Sequence, residues 1–177
     1  MSASSELISM QKIAELLAEL EQHYKAMTAD FNGFAKTHTG LECVQSLVGG
    51  QFRVSCHDFN GIEVTEVQEG RVEATFKPQW FQNNSFGTTQ GGTLAVPLDG
   101  IVTLAGRSLV GTGQTAVTRG LNVTYMKPVS SEKSGLLRVF GNAERHGDDI
   151  FSHGFLENEA GVKVAGAQAQ IVVRDIP

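Results

Sequence analysis

Apolar residues recur early in the chain at Met10, Ile13, Leu17, Leu20, Tyr24, Met27, Phe31 and Phe34, three and four residues apart in turn. That spacing lies on one side of a helix and predicts a single amphipathic helix from Ser5 to about Lys36. It is also a heptad seam. The flanking positions, however, carry Ala14, Leu16, Glu21, His23, Thr28 and Asp30, which lack the complementary charges of a zipper. The expectation is therefore a helix that packs on a sheet or on a neighbouring subunit. Thr37 to Asp58 is a mixed connector with turn signals at Thr39-Gly40 and Gly49-Gly50.

From Phe59 the period shortens to two. Ile62–Val67 and Arg71–Phe76 alternate apolar and polar around Glu69-Gly70, which reads as a hairpin. A polar loop, Gln82 to Gln90, leads through Gly91-Gly92 into an apolar stretch that ends at Val110. That stretch suits a buried helix, which Pro97 is expected to kink or break early. Four further strand-like runs follow: Thr115–Met126, Leu136–Arg145, Ile150–Glu157 and Lys163–Val173. The order β-β-α-β-β-β-β predicts an α+β fold, an antiparallel sheet with one central buried helix. The divisions are a helix over 1–40, a connector over 41–58 and the α+β domain over 59–177.

Composition narrows the function. Fourteen Lys and Arg against nineteen Asp and Glu leave a net charge of −5, which argues against a nucleic-acid binder. Cys43 and Cys56 are the only cysteines and are expected to be free thiols. The first residues have neither the basic nor the apolar region of a secretory signal, and no stretch suits a membrane span. A cytoplasmic location is expected, with no membrane partner.

Candidate chemistry gathers at the loop into the central helix. Gly91 and Gly92 at a helix start offer backbone N–H groups without intrahelical partners, backed by the positive end of the helix dipole. Such a place suits developing negative charge on an oxygen. Asn84 offers a side-chain amide seven residues earlier, and Asp99 lies eight residues into an otherwise apolar helix. A carboxylate there is paired, hydrated in a cleft, or used in catalysis. The plainer alternatives are that the glycines only cap the helix and that Asp99 caps a helix restarting after Pro97. Walker loops, zinc-spaced ligand sets and nucleophile elbows are absent, and the five histidines are scattered.

The string Asn84-Ser-Phe-Gly-Thr-Thr-Gln-Gly91-Gly-Thr-Leu-Ala-Val-Pro-Leu-Asp99 resembles the signature of the hotdog-fold acyl-CoA thioesterases, in their phenylacetate-degradation branch. Thr118-Arg-Gly-Leu-Asn122-Val-Thr-Tyr125-Met-Lys-Pro128 resembles the strand that follows in that family. The match runs from about Phe59 to Val173 and leaves the N-terminal helix outside it. The resemblance implies a hotdog fold and hydrolysis of an acyl-CoA or similar thioester, without a metal or other cofactor. It implies that the Gly91 amide and Asn84 meet the thioester carbonyl. Asp99 would act as general base or nucleophile, and Thr118 would orient the water. Gly92, Lys127 and Arg145 would contact substrate. It also implies a homodimer with shared active sites, or a dimer of such dimers.

Three positions depart from the family pattern. Gln90 replaces a histidine, so it can hydrogen-bond but cannot carry a proton. Arg119 stands where an aspartate is usual, and Gly147-Asp148 replaces a Gly-Arg or Gly-Lys near the nucleotide end of CoA. Gln90 and Asp148 motivate a second reading, a non-catalytic acyl-thioester-binding protein; a hydratase or dehydratase of the same fold is a third, weakened by the missing histidine near that helix.

Overall fold

The computed structural model describes residues 10–177, so the part of the expected N-terminal helix before Met10 lies outside the described residues. Helix α1 spans Met10–Ala35. The connector, whose structure its sequence left open, folds into α2 (Gly40–Gln45), a 3-10 turn (Val48–Gly50) and α3 (Ser55–Asn60). Thr39 starts α2 by a reciprocal cap. Its backbone N–H donates to the Glu42 carboxylate at 2.8 Å, and its hydroxyl oxygen accepts the Glu42 N–H at 3.3 Å.

Strands β1 (Ile62–Gln68) and β2 (Arg71–Phe76) form the expected hairpin. Helix α4 (Gly91–Arg107) follows, then β3 (Gln114–Tyr125), β4 (Leu137–His146), β5 (Asp149–Glu157) and β6 (Lys163–Asp175). All six strands join one antiparallel sheet in the order β1-β2-β4-β5-β6-β3. Helix α4 lies across that sheet, as in a hotdog fold. No helix among the described residues is long and apolar enough to cross a membrane.

Packing explains why α4 continues through its proline. Leu94, Leu98, Ile101, Val102 and Ala105 are all buried, against Val72, Ala74, Phe76, Val139, Leu156 and Ile171 of the sheet. Each large side chain buried this way contributes about 1.5–3 kcal/mol. Together they outweigh the roughly 3 kcal/mol that an interior proline costs a helix. The expected break at Pro97 therefore does not occur, and the helix runs through to Arg107. The sheet accommodates it with a glycine: a Cβ on Gly141 of β4 would sit 2.6 Å from the Ile101 carbonyl oxygen.

The N-terminal elements cover the flank of α4 away from β3. Arg107 stacks over the Phe31 ring at 4.8 Å, and Gly40 donates its N–H to the Val110 carbonyl. His57 of α3 is buried against Gly100, where a Cβ would meet its Nε2 at 2.7 Å. Tyr24 ties α1 to α3 by donating to Asp58 at 2.6 Å, and the Arg53 guanidinium grips the same carboxylate at 2.8 and 2.9 Å. Helix α1 thus packs on other helices, not on the sheet, and only through its C-terminal half. Residues 10–23 are exposed on every side.

Candidate active site

Helix α4 starts at Gly91, with Gln90 as its N-cap residue. The N–H groups of Thr93 and Leu94 both reach the Gln90 carbonyl, at 2.9 and 3.3 Å. Those of Gly91 and Gly92 find no backbone acceptor among the described residues, as expected of first-turn amides. The Gln90 side chain is exposed and caps nothing. Tyr125 closes one side of this end: a Cβ on Gly91 would lie 3.1 Å from the ring. Gly91, Thr89, Leu94, Tyr125, Lys127 and Val129 line a shallow cleft there.

Two turns along α4, Asp99 faces β3. Its Oδ1 accepts from Thr118 Oγ1 at 2.9 Å and lies 3.5 Å from Thr103 Oγ1. The two threonine hydroxyls are 2.7 Å apart. Each hydroxyl carries one hydrogen, so the chain of donation runs from Thr103 to Thr118 to Asp99. The second carboxylate oxygen stays outside this chain. Asp99 bonds to side chains of a helix and a strand and sits inside a continuous helix, which removes the reading of it as a cap for a restarted one.

A bulge in β3 aligns the strand with both ends of this arrangement. Pairing with β6 runs from Thr118–Ile171 to Gly120–Gln170, leaving Arg119 as an extra residue. One inserted residue reverses the inward face of a strand. Ala116 and Thr118 face the helix before the bulge, whereas Leu121, Val123 and Tyr125 share that face after it, opposite Ala169, Ala167 and Ala165. Without the bulge, Thr118 and Tyr125 would lie on opposite faces. Arg119 itself is exposed.

The remaining sequence-named residues divide. Asn84 folds its side chain into its own loop: Oδ1 accepts the N–H groups of Phe86 and Thr88 at 2.9 and 3.3 Å, and Nδ2 donates to Thr88 Oγ1 at 2.9 Å. Lys127 borders the Gly91 cleft. Arg145 lies far from it within one chain, donating to the Gly147 carbonyl at 2.8 Å and the Leu109 carbonyl at 3.2 Å beyond the other end of α4. Gly91 and Asp99 are themselves about 12 Å apart along the helix axis. Thr103 escaped the sequence reading, although its place one turn beyond Asp99 was visible. No three His, Cys, Asp or Glu side chains gather in a metal-binding group among the described residues.

Solved structures share this architecture. A thioesterase-class, phenylacetic acid degradation-related protein from Ralstonia eutropha JMP134 superposes with a TM-score of 0.65, at 25% identity over 73% of this chain and 98% of its own. A thioesterase from Haemophilus influenzae gives 0.64 at 22% identity, over 80% of this chain and 94% of its own. A Streptococcus mutans UA159 protein bound to acetyl-CoA gives 0.61 at 22% identity, over 72% and 96%. No family sequence model and no curated protein sequence matches the chain. The chain has the hotdog fold of these structures.

Proposed function

We propose that this protein hydrolyses acyl-CoA thioesters, with Asp99 as the group that activates water. The observation that carries the reading is the Thr103–Thr118–Asp99 chain, a carboxylate fixed by two hydroxyls on the central helix of a hotdog fold. Thr118 occupies one oxygen of the carboxylate and leaves the other to take a proton from water, or to attack the carbonyl itself. The unpaired amide of Gly91 would accept the charge that develops on the thioester oxygen, helped by the helix dipole. The thiolate of CoA leaves and the acid is released. The likeness to two thioesterase-class structures, and to a Streptococcus mutans protein bound to acetyl-CoA, supports the substrate class.

The distance between Gly91 and Asp99 calls for two subunits. A thioester carbon must lie within a few ångströms of both the oxyanion donor and the activated water, and one aspartate side chain does not bridge about 12 Å. Two copies of α4 side by side would bring Gly91 of one to Asp99 of the other. Strand β3 is the sheet edge next to that flank, and its Val117 and Tyr125 are each about half exposed, so it is free to pair with its own twin. Arg145 could then meet a substrate held at Gly91 only from the second subunit.

The departure at Gln90 favours one other reading, a protein that binds acyl thioesters without turning them over. The deciding experiment is thiol release measured across short, medium, long and aromatic acyl-CoAs. Catalytic release from at least one class supports hydrolysis. Tight binding of acyl-CoA with no release from any would leave the binding reading in its place.

A further inference from the structure

Half of α1 runs beyond the core as an exposed helix. Residues 10–23 are exposed all round, yet a segment of 14 residues is marginal as an isolated helix in water. Its apolar positions, Met10, Ile13, Leu17 and Leu20, continue the same seam by which Tyr24, Met27, Phe31 and Phe34 dock on the core. Met10 is 80% exposed and Leu17 is 57% exposed. The stripe is narrow, with only Leu16 widening it, and Gln11, Lys12, Glu15, Glu19 and Gln22 surround it. A membrane-facing helix shows a broader apolar face and a basic rim, whereas a strict three-four seam fits one partner helix.

We propose that the partner is α1 of a second copy, paired antiparallel over residues 10–20. No other helix among the described residues offers a matching exposed seam: α4 is buried on the sheet, and α2 and α3 have six residues each. The antiparallel direction is set by the docked half, since a parallel pair would bring the two cores into collision at the same end. With residue i level with residue 30 − i of its twin, Met10 meets Leu20 and Ile13 meets Leu17, which uses every free seam position once. Leu16 is then level with Ala14 of the second copy, so Ala14 and its twin flank the two-fold axis, and Lys12 is level with Ala18. Glu15 is level with its own twin at the axis, on the face of each helix turned away from the seam. Met10 of the second copy reaches the cleft that Leu17, Leu20, Tyr24 and Phe59 line. Covering these side chains completely removes on the order of 1,000 Å² from water over both copies, the lower threshold for a biological interface. The surface is separate from the β3 edge, so the two contacts together build a dimer of dimers.

The test is the mass of the full-length protein by light scattering. The double variant Leu17→Glu, Leu20→Glu changes seam residues that belong to neither buried core cluster, so folding should persist. Its assembly mass should be half that of the wild type, with thiol release per subunit unchanged. Crosslinking gives an independent reading. In a Cys56→Ser background, Ala14→Cys should oxidise to a covalent dimer, whereas Ala18→Cys on the opposite side of the helix should not. An unchanged mass in the double variant, or no crosslink through residue 14, overturns the proposal. Both readouts are independent of whether the protein hydrolyses thioesters.

Discussion

Thr118 donates its hydroxyl hydrogen to Asp99 at 2.9 Å, joining a bulged strand to the central helix across 19 residues of sequence. The bond orients one carboxylate oxygen and leaves the other for water. Removing the hydroxyl in Thr118→Ala should lower kcat by roughly 10-fold to 10²-fold, as loss of a positioning bond does. Thr118→Ser should recover most of that rate. Thr103→Ala should act more weakly, since its hydroxyl reaches Asp99 mainly through Thr118. Steady-state thiol release for the three variants checks the order.

Gly91 allows an amide to be deleted cleanly. It is the first helical residue, where proline is tolerated, and Gln90 before it has ψ 136°, the extended value that precedes proline readily. Gly91→Ala and Gly91→Pro both place a carbon against Tyr125, but only proline removes the N–H. Alanine should cost less than about 10-fold in kcat, and proline about 10²–10³-fold, the usual loss on removing an oxyanion donor. Equal effects of the two would mean that crowding, not the amide, matters at this position.

The shared site predicts complementation. Asp99→Asn and Gly91→Pro subunits, each nearly inactive alone, should regain activity when unfolded together and refolded as a mixture. Half of the random dimers are mixed, and in each of these one of two sites is free of lesions. About a quarter of wild-type activity should return. A site built within one chain would show no recovery.

His57 makes the N-terminal helical region sensitive to acid. Burial holds its imidazole below the ordinary histidine value, against a smaller upward pull from Asp58 beside it. The unfolded chain takes up the proton near pH 6.5, while the folded chain resists it to lower pH. Stability is therefore full above about pH 6.5 and falls as the pH drops from there toward the folded value. Denaturant unfolding at pH 7 and pH 5 should show a larger loss for wild type than for His57→Gln. Asp58 acts in a lower window. Burial pushes its carboxyl up, but the hydrogen bonds from Arg53 and Tyr24 outweigh that and hold it below the usual carboxylate range.

What the sequence displayed and what it hid divide along physical lines. Period-two alternation in Ile62–Val67 and Arg71–Phe76 marks strands because one face is buried, and the structure keeps both. Asp99 stood out because a carboxylate among Leu94, Val96, Leu98 and Ile101 is costly. Pro97 does not break α4, since local propensity says nothing of the sheet on which α4 packs. The bulge at Arg119 was hidden, because a register shift belongs to a pair of strands. Thr103 looked like any helical threonine until Thr118 was brought to within 2.7 Å of it.

The most direct test of the account is the rate of acyl-CoA hydrolysis by Asp99→Asn, which keeps the side chain's shape and removes its basicity. The account predicts a drop in kcat of roughly 10²–10⁴-fold on the best acyl-CoA, with substrate affinity little changed. Turnover near the wild-type rate would contradict it.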